Sequence, residues 1–466
     1  MPKHNTLILE TGARGHVIAE LVRRSPDTGL LYHYPSKVLA EEEGITVPTG
    51  LRSLTELGGW DGAKNALADF AVAKNVKRVL VTADDPIAAG VGDVFRERGI
   101  QTFSPTAEAA TIESSKKKMK HIARERGVPT ADFEDFDVTD ADETMAAVIE
   151  HAAERNKWPV VVKADGLAAG KGVKICASHE ELHLKLEELR AEKHLEPGKS
   201  IVVEEYLEGP EISLHAWVGG DSHLMFPFAM QDHKTIRDNN EGPMTGGMGV
   251  VLPMPHLTAQ DMDNLGKIFI NPFVQALKDE GTPFYGVMYP SIKLTANGPK
   301  LLEVNCRPGD PEAPAAFPML ESDFMTIAMA CAEGKLNELP TPRWRKGAAV
   351  CIALAAPGYP GKAQTGGIIT GIEQVRSHKG VRLYDYALKR EKTAKGSVFK
   401  TNGGRVLGVH AAAANIRLAV QVADKAAAEI RFDGKEPQRR RDIGAQAGSE
   451  LFKERVEILR SYLAAA

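Results

Sequence analysis

In the stretch Lys163-Ala-Asp-Gly-Leu-Ala-Ala-Gly-Lys-Gly-Val173, Gly166, Gly170 and Gly172 let backbone N–H groups approach a ligand closely, and lysines supply positive charge. Backbone donors and lysines together suit a polyphosphate. The spacing fits neither GxGxxG nor the P-loop pattern, the two commonest nucleotide fingerprints. Ser115-Lys116 offers a second lysine from another element, so Lys116 and Lys163 could bridge the phosphates of a nucleotide. Lys116, Lys117, Lys118 and Lys120 also fit one solvated helix face, with Lys116 at the helix opening as the exception.

Three further groups carry chemistry. Val202-Val203 runs into Glu204-Glu-Tyr-Leu207, with Gly209-Pro-Glu211 behind it. A carboxylate past a buried strand could receive an adenine amino group or ribose hydroxyls, and the backbone at Tyr206 and Leu207 could read the adenine edge. In Leu302-Glu-Val-Asn305, two-residue alternation places Glu303 and Asn305 on one face of a strand. Such hard oxygen ligands suit Mg²⁺ held together with substrate phosphates. Arg307, Asp310 and Glu312 follow at once. Gln231-Asp-His-Lys234 with Thr245-Gly-Gly-Met-Gly249 suits either a substrate-clamping segment or a mobile surface loop.

These groups need elements to hold them. Strands at Thr6–Leu9, Arg78–Thr82 and Gln101–Phe103 alternate with helices at His16–Val22 and Gly90–Arg98, which predicts a parallel sheet with helices on its faces. Ligand loops in such a sheet lie at the carboxyl ends of strands, here Glu10–His16 and Ala83–Pro86. Helices are predicted at Ser114–Arg126, Ala141–Glu154, Asp261–Glu280 and Ala414–Ile430. Strands are predicted at Pro159–Lys163, Val173–Cys176, Ile201–Glu204, Phe284–Leu294, Lys300–Asn305 and Ala348–Ala356. Thr341–Arg345 reads as a linker.

The totals narrow the function classes. A chain of 466 residues exceeds one core and predicts about three domains. Hydrophobic content of 43% and charged content of 26% are ordinary for a globular protein. A net charge of -4 gives no electrostatic reason to expect nucleic acid or an anionic membrane as partner. No apolar run reaches about 18 residues and no cleavable leader is evident, so a cytoplasmic protein is expected. Cys176, Cys306, Cys331 and Cys351 lack metal-site or disulfide spacing and are expected to be reduced and buried.

In order along the chain, these segments resemble the phosphoribosylamine–glycine ligase (glycinamide ribonucleotide synthetase) family of ATP-grasp enzymes. The matching stretches are Ser115-Lys116, Lys163–Val173, Glu204–Leu207, Gln231–Lys234, Thr245–Gly249, Glu303–Arg307, Gly309–Glu312, Gly358–Gly361, Thr401–Leu407 and Arg441–Gly444. The resemblance implies an α/β architecture: an N-terminal Rossmann-like domain over 1–112, an ATP-grasp domain over 113–336 with a mobile lid near 131–200, and a C-terminal mixed domain over 337–466. It implies small-molecule substrates and a monomer or homodimer. ATP with Mg²⁺ or Mn²⁺ would activate a carboxylate as an acyl phosphate, which an amine attacks to form an amide.

The same resemblance distributes roles. Lys116 and Lys163 would hold the phosphates, with Gly166, Gly170 and Gly172 closing over them. Glu204, Tyr206, Leu207 and Glu211 would hold adenosine, and Glu303 and Asn305 the metal. Arg307, with Lys163 and Asp310, would serve the chemical step. Arg14, His16, Asp232, Lys234, Gly246, Gly247, Arg307, Asp310 and Glu312 would contact the other substrates.

The departures cluster away from the ATP segments. The family's first loop reads roughly G-N-G-G-R-E-H, whereas here it is Glu10-Thr-Gly-Ala-Arg-Gly-His16. A carboxylate at the end of the first strand would repel a phosphate. The expected G-P-E reads Thr82-Ala-Asp-Asp-Pro86, and Met244, Pro308 and Ala313-Pro314 replace polar or aromatic residues. Three readings stay open: a synthetase that binds the phosphoribosyl group differently, a paralogue joining another amine and amino acid, and a silent nucleotide-binding protein.

Overall fold

The protein is described by a computed structural model over residues 3–155, 157–166, 172–394 and 396–465. The predicted parallel sheet is present. Strands His4–Leu9, Thr28–Tyr34, Val76–Val81 and Gln101–Phe103 form it, with His4–Leu9 between the second and third. Thr28–Tyr34 escaped the sequence reading. Leu7, Ile8 and Leu9 are fully buried between the helix layers, as expected for a parallel sheet covered on both faces.

A separate antiparallel sheet follows, in the order Phe133–Asp137, Ser200–Glu205, Val160–Ala164, Val173–Cys176. Helices Ala141–Arg155 and His179–Ala191 cover one face and enclose Val148, Val160, Val162, Leu182, Leu186, Ile201 and Val203 in a core of their own. Strand alternation then leaves Lys163 and Glu204 on the opposite face, toward the body of the molecule. The body sheet holds Ala216–Gly220, Ser222–Met225, Phe284–Thr295 and Gly298–Asn305, with Glu211–Ser213 pairing with Phe284–Thr295.

A third unit is built from distant sequence. Gly249–Leu252 pairs antiparallel with Ala348–Ala355, which pairs with Arg405–Ala413 and through it with Val381–Asp385. The C-terminal sheet thus takes in a strand from the loop segment that holds Asp232 and Gly247. The last helix, Glu450–Ala465, returns to the body, where Tyr462 lies against Gly298.

Several expectations need correction. The helix expected over Asp261–Glu280 is two, Ala259–Phe269 and Asn271–Asp279, because Pro272 has no N–H to continue the first and serves instead in the opening turn of the second. The helix expected over Ser114–Arg126 is Thr111–Ser114 followed by Lys116–Glu125. Ser115 between them is extended, and its hydroxyl caps the second helix by accepting from Lys118 N, a contact worth about 1 kcal/mol. The stretch read as a linker is packed: the Trp344 ring lies 4.9 Å from Phe226 and 5.0 Å from Phe228. All four cysteines are buried and unpaired.

Four buried histidines make stability sensitive to acid. Burial holds His33, His215 and His410 at about 3, against 6.5 for a free imidazole. Burial, with Arg440 nearby, holds His233 at about 4. A folded-state pKa below the unfolded one means that the stabilisation is complete above the unfolded value and is lost as pH falls beneath it. Each such imidazole removes about 1.4 kcal/mol per pH unit below about 6.5. Thermal denaturation should give a flat Tm between about pH 8 and 7 and a steepening fall toward about pH 5. Equal Tm values at the two extremes would contradict it.

Candidate active site

The face of the small sheet opposite those two helices looks onto helix Lys116–Glu125 and the end of the body sheet, and lysines and carboxylates meet between them. Lys163 Nζ lies 2.9 Å from Glu204 Oε2 and donates to Leu302 O at 3.2 Å. Lys116 Nζ donates to Gly166 O at 2.7 Å, and Asp165 accepts from Ser115 Oγ at 2.9 Å and from the Lys116 backbone. The opening of one helix and the turn after Lys163 are thereby tied together. Burial pulls Lys116 below the ordinary lysine range. Strands Val160–Ala164 and Val173–Cys176 pair up to Lys163 and Val173, and Gly172 O accepts from Ala164 N at 2.8 Å. Gly166 and Gly172 flank the tip of this hairpin. Gly170, with the rest of 167–171, lies outside the described residues.

Lys120 corrects the sequence reading. It is fully buried rather than part of a solvated face, and its Nζ lies 3.1 Å from Glu204 Oε1. Glu204 is therefore held by two lysines. A recess of about 200 Å³ beside it is lined by Trp158, Val203, Glu204, Glu205 and Tyr206, next to buried Leu207. A groove of about 680 Å³ lies elsewhere, between Asn415–Gln421 and Arg441–Gly448. It contains none of the lysines or carboxylates described here.

Glu303 and Asn305 sit where two-residue alternation puts them, on one face of strand Gly298–Asn305. Lys234, first, then Lys163, Lys116 and Arg307 hold the Glu303 carboxyl at about 2, against the cost of its partial desolvation. Lys234 Nζ bridges Glu211 Oε1 at 2.6 Å and Glu303 Oε1 at 3.4 Å. Glu211 also accepts from Ser291 Oγ at 2.6 Å, so it belongs to the same ionic network. Asn305 Oδ1 accepts from Arg307 Nη2 at 2.9 Å, and Arg307 is anchored by Glu113 Oε1 at 3.0 Å. Among the described residues no cluster of three or more His, Cys, Asp or Glu could hold a metal by itself. Glu303 and Asn305 supply hard oxygens ringed by cations, which fits a divalent ion arriving with phosphate oxygens and does not fit a bare one.

The segment after Arg307 carries the remaining acids. Glu312 Oε1 accepts from Tyr289 OH at 2.7 Å and Ser213 Oγ at 2.9 Å. His215 Nε2 accepts from Gly309 N at 3.1 Å, and its ring stacks on Tyr289 at 4.3 Å. Burial first, and the neighbouring Glu312 second, raise Asp232 well above the usual carboxylate range. Gly247 is at φ 101°, and a Cβ there would stand 2.7 Å from Asp232 Oδ1 and 2.6 Å from Pro311 Cδ. Only glycine fits both demands. Arg405, from the C-terminal sheet, donates to Gly246 O and Asp310 O, each at 2.6 Å, and lies 4.6 Å over the Tyr386 ring.

At the N-terminal loop the Glu10 carboxylate is fully buried and accepts from Gly12 N at 2.7 Å and Thr82 Oγ1 at 3.0 Å. Arg14 is paired with Glu10 at 3.1 Å, donates to Pro308 O at 3.0 Å and reaches Asp84 at 4.0 Å. Gly12 lies so close to Asp310 that any Cβ would collide with its carboxylate. His16 stands apart from this group: its Nδ1 accepts from Asp385 N at 3.1 Å and its Nε2 lies 3.5 Å from Glu43. It joins the first helix to the C-terminal sheet.

Sequence reasoning missed Lys120, Glu113, Tyr289, His215 and Arg405. Lys120 had a signal, four residues after Lys116 and therefore on the same side of a helix. The others come from segments whose meeting only the fold decides.

A separate antiparallel sheet facing a body sheet, with lysines on one side and a carboxylate–amide pair on the other, defines an ATP-grasp protein. Three family descriptions match the sequence: the phosphoribosylglycinamide synthetase N domain over 4–113, its ATP-grasp domain over 114–313 and its C domain over 349–446. The chain belongs to the phosphoribosylglycinamide synthetase family. It is 35% identical over 436 residues to a phosphoribosylamine–glycine ligase of Rhodopirellula baltica, covering 93% of this chain and 96% of that one. A Drosophila melanogaster trifunctional purine biosynthetic protein, adenosine-3, is 36% identical over 95% of this chain, which spans 32% of that larger protein. The phosphoribosylamine–glycine ligase of Thermotoga maritima superposes with a TM-score of 0.75 at 26% identity, covering 94% of this chain and all (100%) of that one. The biotin carboxylase domain of the Hydrogenobacter thermophilus 2-oxoglutarate carboxylase, at 16% identity and a TM-score of 0.70 over 99% of this chain and 98% of that one, shares the fold.

Proposed function

We infer that this protein joins glycine to phosphoribosylamine with ATP, giving glycinamide ribonucleotide, ADP and phosphate in purine biosynthesis. The membership above and the full-length relatives of that name support it. The observation that carries the chemistry is Glu303 among Lys234, Lys163, Lys116 and Arg307. Such a ring of charge suits a metal–polyphosphate, and phosphoryl transfer needs positioning and charge neutralisation more than a covalent nucleophile.

In this reading Lys116 and Lys163 hold phosphate oxygens, and the recess at Glu204–Leu207 takes the adenine. Lys234 keeps Glu211 turned toward the ribose side. Glu303 and Asn305 hold the divalent ion, which neutralises phosphate charge; the biotin carboxylase relative was solved with MgADP. A glycine carboxylate oxygen attacks the γ-phosphorus, the bond to the β-phosphate oxygen breaks, and ADP leaves. The amine then attacks the acyl carbon, loses a proton, and inorganic phosphate departs. Arg307, fixed by Glu113, faces the acyl phosphate, while Glu312, Asp310 and Asp232 orient glycine and the amine. Closure of the 131–200 lid keeps water from the acyl phosphate. The domains are 1–112, 113–336 and 337–466. The partners are small molecules, the assembly a monomer or homodimer, and the compartment the cytoplasm. Among the described residues no helix is long and apolar enough to cross a membrane.

A second reading has its own observation. Glu10, Arg14 and Asp84 bring two acids and one base to the N-terminal loop, and Glu10 already occupies the Gly12 N–H that a phosphate would use. This favours an acceptor amine without a phosphate at that loop. An ADP-release assay over amino acids, with and without phosphoribosylamine, separates the two. Turnover with glycine and phosphoribosylamine is expected. Turnover only with another pair would replace it.

A further inference from the structure

We propose that Lys120 is a positioning residue that gives the Lys163–Glu204 pair its net positive charge, and so sets how strongly this site holds the phosphates of a nucleotide. The proposal rests on the ATP reading above. Lys120 does not itself reach the cleft. Its side chain has no exposure, its Nζ donates to Thr130 Oγ1 at 2.7 Å, and it lies 5.7 Å from the Phe133 ring centroid. Among the described residues it forms an ion pair with Glu204 Oε1 at 3.1 Å, while the other oxygen of that carboxylate holds Lys163 at 2.9 Å.

A lone lysine–carboxylate pair is neutral and closed on itself, and Lys163 would have little attraction left for an incoming anion. A carboxylate divided between two ammonium groups leaves one positive charge over. Lys120 is sealed, so that charge is expressed at Lys163, which also donates to the carbonyl of Leu302 and stands among the cations around Glu303. Desolvating an ammonium is costly, and a purely structural role at this spot would be served by an apolar side chain of the same length. Helix Lys116–Glu125 places Lys120 one turn after Lys116, so one helix supplies both a phosphate contact and the charge behind the other lysine.

The test is the ratio of the adenosine Kd to the ADP Kd, measured by calorimetry without metal on the full chain. This ratio isolates what the phosphates contribute. Lys120→Met should lower it about tenfold while the adenosine Kd stays unchanged. Glu204→Gln should raise it, and the double variant, which again leaves one uncompensated lysine, should return within about twofold of wild type. In the double variant the uncompensated charge lies on Lys163 and no charge remains at the sealed position 120. Should Lys120→Met alone not fold, the step from Glu204→Gln to the double variant reads the same contribution. A lowered Tm with an unchanged ratio would make Lys120 structural only and overturn the proposal. Lys163→Met should lower the phosphate contribution sharply, leaving only the share of Lys116; an unchanged ratio would fail the ATP reading, independently of Lys120.

Discussion

Replacing Lys163 with alanine is expected to lower kcat/KM for ATP by about 10²–10³-fold, with the fold intact. Among the described residues Lys163 is the hairpin cation that meets both the body sheet, through Leu302 O, and Glu204 beside the recess. Its loss removes a phosphate contact and leaves Glu204 to Lys120 alone. The effect should be the same whichever amine is the acceptor, because it precedes the choice of amine. Steady-state ADP release with varied ATP checks it, and unchanged activity would sink the placement of ATP at this hairpin.

Glu303→Gln should have a comparable effect by a different route. The neutral amide keeps the shape but loses the one carboxylate that Lys234, Lys163, Lys116 and Arg307 surround. The wild-type protein should show no measurable affinity for Mg²⁺ alone, because one carboxylate and one amide oxygen among four cations make a poor bare site. In the variant, kcat should fall about 10²-fold or more at any metal concentration, and the Mg²⁺ needed for half-maximal activity should rise. ADP binding without metal should tighten, since the phosphates then meet less compensated lysines. Calorimetry with and without Mg²⁺ reads both signs. An unaltered metal requirement would remove Glu303 from the metal site.

The part of the site that was legible lay within single elements. Glu303 and Asn305 are two residues apart on one strand, so alternation alone put them on one face. Lys163 at a strand end and Lys116 at a helix opening each carried a local signal. The parallel N-terminal sheet was legible for the same reason, as short apolar strands alternating with helices. The break at Ile270 was missed although Pro272 announced it, because the apolar spacing runs on through both helices.

What lay across elements was not legible. Glu113 reaches Arg307, Tyr289 reaches Glu312, and Arg405 crosses from the C-terminal sheet to the carbonyls of Gly246 and Asp310. No spacing rule links such pairs. Lys120 shows the limit most clearly: its position on the helix was readable, but its burial depends on a carboxylate from another sheet.

The sequence by itself determined the family, the parallel N-terminal sheet and the local geometry of Lys116, Lys163, Glu303 and Asn305, because these depend on neighbours a few residues apart. The tertiary structure alone decided the charge state of the site. It gave Glu204 two lysines, Glu303 four cations, and Glu10 the backbone N–H that a phosphate would have used. Electrostatic energy depends on distance through space and on desolvation, and folding brings together charges that lie far apart along the chain.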